Sequence, residues 1–177
     1  MLPWGQEGKD KMVLHRLTDR VAVSGALTSE DVRRLAADGF HSIVDLRSDG
    51  EPRPQGLAPW DEARLAQEIG LTYRQITVEP QMLGDSLARA VLQALRSSPS
   101  PVLVHCTTGR RAGTFALLQL ACEQDLSVDD CLARGRAMGL DFDGMPRLTK
   151  FLREFVESHG RHYRPADDEP DRSNIRF

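Results

Sequence analysis

Cys106 closes the apolar run "PVLVHC" and is followed by "TTGRRAG", so a sulfur stands at the mouth of a polar turn that holds a glycine and two arginines. A cysteine buried among apolar neighbours is inert, whereas one beside cations at a helix start becomes a usable thiolate nucleophile. If the backbone from Thr107 to Ala112 curls with its N–H groups inward, those groups and the positive end of the next helix form a cup for an anion. The same field favours negative charge on the Cys106 sulfur. Gly109 permits the turn because it accepts positive φ without a Cβ clash. Arg111 adds a planar fork that can hold two oxygens of a tetrahedral anion and the extra charge of an in-line transition state. Arg110 either assists it or faces solvent.

A loop of this kind needs a rigid frame. Short β-branched runs at 21–24, 42–46, 72–78 and 102–105 alternate with helix-period segments, the pattern of an α/β layer fold with a mostly parallel sheet. The first helix lies in "TSEDVRRLAADGF", where Thr28 or Ser29 caps, acids fill the first turn and Gly39 ends an apolar stripe. Further helices are expected at 61–69, closed by Gly70, and at 85–95, ended by "SSPSP". After the cysteine loop come three more, at 112–124, 128–138 and 146–158. The expected fold is therefore a single α/β domain, with a four-stranded, mostly parallel central sheet flanked by helices. Cys106 then sits at the carboxyl end of a central parallel strand, where such sheets bind their ligands.

The chain has 177 residues, 40% of them hydrophobic, enough for one sizeable core. A net charge of −3 with both signs scattered offers no basic face for nucleic acid and no polybasic membrane anchor. The three cysteines do not form a disulfide framework, which suits a reducing compartment. The N-terminal stretch lacks the pattern of an export signal, and no run reaches membrane-spanning length, so a cytoplasmic protein is expected. Cys122 and Cys131 fall within helical patterns and read as packing. His159 and His162 in "HGRH" have the spacing of a metal pair, but no cysteine or acid motif accompanies them, and no metal or organic cofactor is expected.

"HCTTGRRAG" resembles the phosphate-binding loop of the cysteine-dependent protein tyrosine and dual-specificity phosphatases, His-Cys, five residues, Arg, then Ser or Thr. Here the arginine arrives one position early, at Arg111, with Ala112 where the longer pattern has its arginine. That shorter Cys-x-x-Gly-x-Arg loop is similar to a bacterial branch of the superfamily, the beta-lactamase-hydrolase-like phosphatase domains. "VAVSGALTSEDVRRLAADGFHSIVDLRSDGE" and "LTYRQITV" are similar to the opening and third strand of the same branch. The resemblance implies a phosphatase-like domain over 16–158, with an N-terminal extension at 1–15 and a polar tail at 159–177.

It also implies roles. Cys106 would attack phosphorus, while Thr107, Thr108, Gly109, Arg110, Arg111 and Ala112 surround the phosphate and His105 orients the loop and tunes the thiolate. The hydroxyl that helps expel the cysteine in the family pattern is missing after Arg111, leaving Thr107, Thr108 or Thr114 as substitutes. The leaving group needs a proton donor from another loop, and just beyond the third strand stand Glu79 and, six residues on, Asp85, which serves equally well as a helix-capping acid. Asp45 and Arg47 are read as structural. The implied substrate is a phosphorylated protein or a small-molecule phosphate ester. Two other readings stay open. Rhodanese sulfurtransferases share the short loop and a strand ending like "VDLRS", though their Gly-His-Ile sequel is absent; and Ala112 leaves room for a phosphate-binding module without catalysis.

Overall fold

The protein is described by a computed structural model covering residues 12–51 and 56–159. The sheet has five strands in the order β1 (His15–Arg16), β2 (Val21–Ser24), β5 (Val102–His105), β3 (Ser42–Asp45) and β4 (Thr72–Gln75). Four of them are parallel, and β1 pairs antiparallel with β2. The expected α/β class holds, but the expected count of four strands is corrected to five. A strand of two residues carries no readable alternation, so the sequence could not announce β1. The β4 ladder also ends at Gln75 rather than running to 78, although Val78 still donates to Leu46 O at 3.2 Å. The proposed tail falls largely on 160–177, outside the described residues.

β2, β3 and β5 are buried on both faces, as parallel strands between helix layers must be, while the edge strands β1 and β4 are partly exposed. On one face Ala22, Ile43 and Leu103 pack against α1 (Ser29–Ala37) and α2 (Pro59–Glu68) through Val32, Leu35, Leu65 and Ala66. On the other, Val23, Val44, Val102 and Val104 meet α3 (Asp85–Ser97), α4 (Arg110–Gln124), α5 (Val128–Ala137) and α6 (Pro146–His159). Thr28 is the cap of α1 and exchanges hydrogen bonds with Asp31, a capping box. In α4 every residue from Ala112 to Ala121 is buried, so it is the central helix of its layer. Its start is thereby fixed against the carboxyl end of β5, with β2 and β3 on either side. No helix among the described residues is long and apolar enough to cross a membrane.

Candidate active site

Between β5 and α4 only residues 106–109 lie outside regular structure, so Arg110, Arg111 and Ala112 occupy the first turn of the helix. Gly109 caps that helix at φ 85°, a left-handed conformation strained for any residue with a Cβ. Its N–H donates to Cys106 Sγ at 3.1 Å, so the sulfur faces into the loop. The neighbouring strands brace the turn. Ala26 N–H donates to Thr107 O at 3.1 Å and Leu46 N–H to His105 O at 2.9 Å. At Gly25 a Cβ would stand 3.2 Å from Thr107 O, so the end of β2 lies directly on the loop backbone.

Arg111 turns inward. Its Nη1 donates to Val78 O at 2.9 Å, to Glu51 Oε2 at 3.0 Å and to Leu46 O at 3.3 Å, while Nη2 pairs with Glu51 Oε1. Glu51 is fastened in turn by Ser48 N–H at 2.9 Å and Thr107 Oγ1 at 3.1 Å. Burial works against its charge, but the bonds from Arg111 and Ser48 outweigh it and hold the Glu51 carboxyl below its ordinary range. Burial would likewise lower Arg111, yet pairing with Glu51 and the adjacent Cys106 sulfur raises it above the usual arginine value. The guanidinium is thus clamped beside the sulfur. Glu51 was not among the residues the sequence singled out, because a glutamate in "SDGE" looks like any solvated loop acid.

A second charged group lies beneath the loop. Arg47 is 1% exposed and its Nη2 lies 2.7 Å from Asp45 Oδ2 and 2.6 Å from Glu62 Oε2, with Nη1 donating to Leu57 O at 2.8 Å. Glu62 Oε1 is 2.7 Å from His105 Nε2, and Tyr73 Oη donates to Asp45 Oδ2 at 2.7 Å. Burial raises the Asp45 pKa, but His105 and Arg47 together hold it below the normal carboxylate range; burial and then Asp45 push Tyr73 far above the usual phenol value. Asp45, Glu62 and His105 have ligand atoms within 4.8 Å of one another, the geometry of a metal site. Arg47 already supplies a cation between the two carboxylates, so the group reads as an ion-pair network seated under His105. The structural reading of Asp45 and Arg47 is thereby extended by Glu62, whose place on the inward face of α2 with Leu65 and Ala66 was its only sequence signal.

The remaining candidates sort by position. Thr108 and Arg110 are exposed, Ala112 points into the core, and Thr114 is buried with its hydroxyl donating to Arg110 O at 2.9 Å. Glu79 follows the Val78 carbonyl that Arg111 holds; it is half-buried and accepts from Gln81. Asp85 begins α3 and pairs with His159 Nε2 at 3.0 Å. His162, the other half of the sequence's histidine pair, lies outside the described residues. Burial pushes the Cys122 thiol up to about 11 and Cys131 up to about 12, as inert packing cysteines require.

Residues 13–122 match the family model described as "Beta-lactamase hydrolase-like protein, phosphatase-like domain". The chain belongs to this family. Beta-lactamase hydrolase-like proteins of Xylella fastidiosa and Agrobacterium fabrum are each 30% identical, over 125 and 126 residues, 71% of the chain in both cases. The chain spans 29% of the length of these relatives. Among solved structures, TpbA of P. aeruginosa superposes with a TM-score of 0.68 over 85% of this chain and 89% of its own, at 20% identity. Tk-PTP gives 0.62 over 81% and 96%, at 24% identity. Both likenesses concern the fold. The family match goes to a phosphatase-like domain, so the short loop, which sulfurtransferases share, sits here in phosphatase-like surroundings.

Proposed function

We propose that the chain is a cysteine-dependent phosphatase acting on phosphomonoesters of the phosphotyrosine or dual-specificity kind. The observation that carries the reading is the Gly109 amide donating to the Cys106 sulfur at the start of α4, with Arg111, on the first turn of the same helix, held at its guanidinium by Glu51. The thiolate attacks phosphorus in line, forming the P–S bond as the P–O bond to the leaving group breaks. Loop amides and Arg111 hold the other oxygens, while Glu51 sets the direction of the arginine fork. Glu79 gives its proton to the departing oxygen; its carboxylate then takes one from the water that attacks phosphorus and releases Cys106 as thiolate. Asp85, committed to His159, is the weaker choice for that acid. The cup supplies the charge stabilisation itself, so no metal or organic cofactor is needed. Phosphotyrosine is the ligand of one TpbA complex, and a phosphorylated protein or small phosphate ester is the substrate class that fits here. Three free cysteines suit a reducing compartment, the cytoplasm.

Side-by-side assays with an aryl phosphate and with thiosulfate plus cyanide test the reading. Turnover of the first without thiocyanate from the second supports it; thiocyanate without phosphate release moves the assignment to sulfur transfer, and phosphate binding with neither reaction to a binding module.

The acid has its own signature. Glu79→Gln is expected to reduce kcat for phenyl phosphate by about 10²-fold, since general acids contribute about 10²–10⁴ and a phenoxide leaves poorly unprotonated. With 4-nitrophenyl phosphate, whose leaving group is stable as an anion, the loss should be far smaller. Equal losses on both substrates would remove Glu79 from the proton-transfer step.

A further inference from the structure

A groove of about 290 Å³ runs away from Arg111 between two walls. One wall is the segment after β4, with Val78, Pro80 and Leu83; the other is the start of α6, with Met145 and Leu148. Of the described residues lining it, Arg111 and Arg147 alone carry charge. The groove reaches the cup, because Arg111 and Val78, whose carbonyl accepts from Arg111 Nη1 at 2.9 Å, both line it. A dry apolar cavity of roughly 150 Å³ holds a benzene ring. This groove therefore has room for a ring and part of what is attached to it.

We propose that Leu148 on α6 and Met145 just before it, facing Leu83, form the subsite for the leaving group of the ester and make it select apolar, ring-bearing phosphates over small polar ones. The inference rests on the reading of the Cys106–Arg111 loop as the phosphate cup. The anion end of the substrate is held by Arg111, and its ester oxygen carries a substituent that must pass Val78. A hydroxylated substituent there would lose water without gaining hydrogen-bond partners from Val78, Leu83, Met145 and Leu148, whereas a ring loses apolar surface to them. Met145 and Leu148 lie beyond residues 13–122, so one of the two selecting walls is outside the segment that matches the family, while Leu83 is within it.

Titration calorimetry with phenylphosphonate, methylphosphonate and inorganic phosphate, none of which can be hydrolysed, tests this without relying on turnover. The wild-type chain is expected to bind phenylphosphonate at least roughly tenfold more tightly than methylphosphonate. Leu148→Ser, and independently Leu83→Ser on the opposite wall, should erase most of that ratio and leave inorganic phosphate binding unchanged, which also reports that each variant is folded. Equal binding of the two phosphonates by the wild type, or a ratio untouched by both variants, overturns the groove assignment while the cup stands. Failure to bind any of the three anions overturns both. Phenylphosphonate selectivity in a chain that turns over no ester keeps the subsite and removes the proposed function.

Discussion

Replacing Cys106 with serine is expected to lower kcat for an aryl phosphate by a factor on the order of 10⁴ or more, because loss of a covalent nucleophile removes the reaction path itself. Serine is close in size and would sit on the same Gly109 amide, 3.1 Å away in the parent, so the fold and the cup should survive. What changes is the charge. A hydroxyl ionises far less readily than a thiol, so serine offers a much weaker nucleophile at the same place. Steady-state kinetics on phenyl phosphate, paired with calorimetric binding of inorganic phosphate, separates loss of chemistry from loss of the site. Turnover within tenfold of the parent would show that Cys106 is not the nucleophile.

The largest effect on stability is expected at Arg47. Its guanidinium lies between two carboxylates that are themselves 0% exposed, so Arg47→Met leaves Asp45 and Glu62 buried with one cation fewer between them. Removing one partner of a buried ionic group costs about 3–5 kcal/mol, and for a chain of this size that lowers Tm by about 6–20 °C. A second substitution, Glu62→Gln, removes one of the stranded charges and should restore part of the loss. The acid side of the stability profile should change too. In the parent, Asp45 is held below its ordinary range; its contribution is complete above about pH 4 and fades as pH falls further through the depressed value. Without the bonds from Arg47 that depression is reduced, so the variant, less stable at neutral pH, should lose less further stability than the parent as pH falls below about 4. Differential scanning calorimetry from pH 3 to 7 reads both effects, and a Tm within about 2 °C of the parent would mean the network contributes little to the fold.

The parts of the fold that were legible were those with a local physical cause. Thr28 and Asp31 announce the start of α1, Gly39 and Gly70 take positive φ where their helices end, and the cysteine strand is a continuous apolar run because both its faces are covered. The helix α4 begins at Arg110, two residues before the 112 that the sequence pattern predicts, because the cup is a short turn to which the helix contributes its own first residues. Glu51 and Glu62 were missed for a common reason. They stand 60 and 43 residues in sequence from their partners flanking the loop, Arg111 and His105 respectively, and nothing short of the folded chain brings them together. Asp85 shows the converse: its local signal as a first-turn acid was correct, and its actual partner, His159, lies at the far end of α6.

The last helix carries two duties on one stretch of chain. Phe151, Leu152, Phe155 and Val156 face the interior and anchor α6 to the layer, while Met145 to Leu148 at its beginning look out over the groove. Because Met145 also belongs to the packed interior, it is the partly buried Leu148 whose replacement would vary what the protein accepts while leaving that anchor in place.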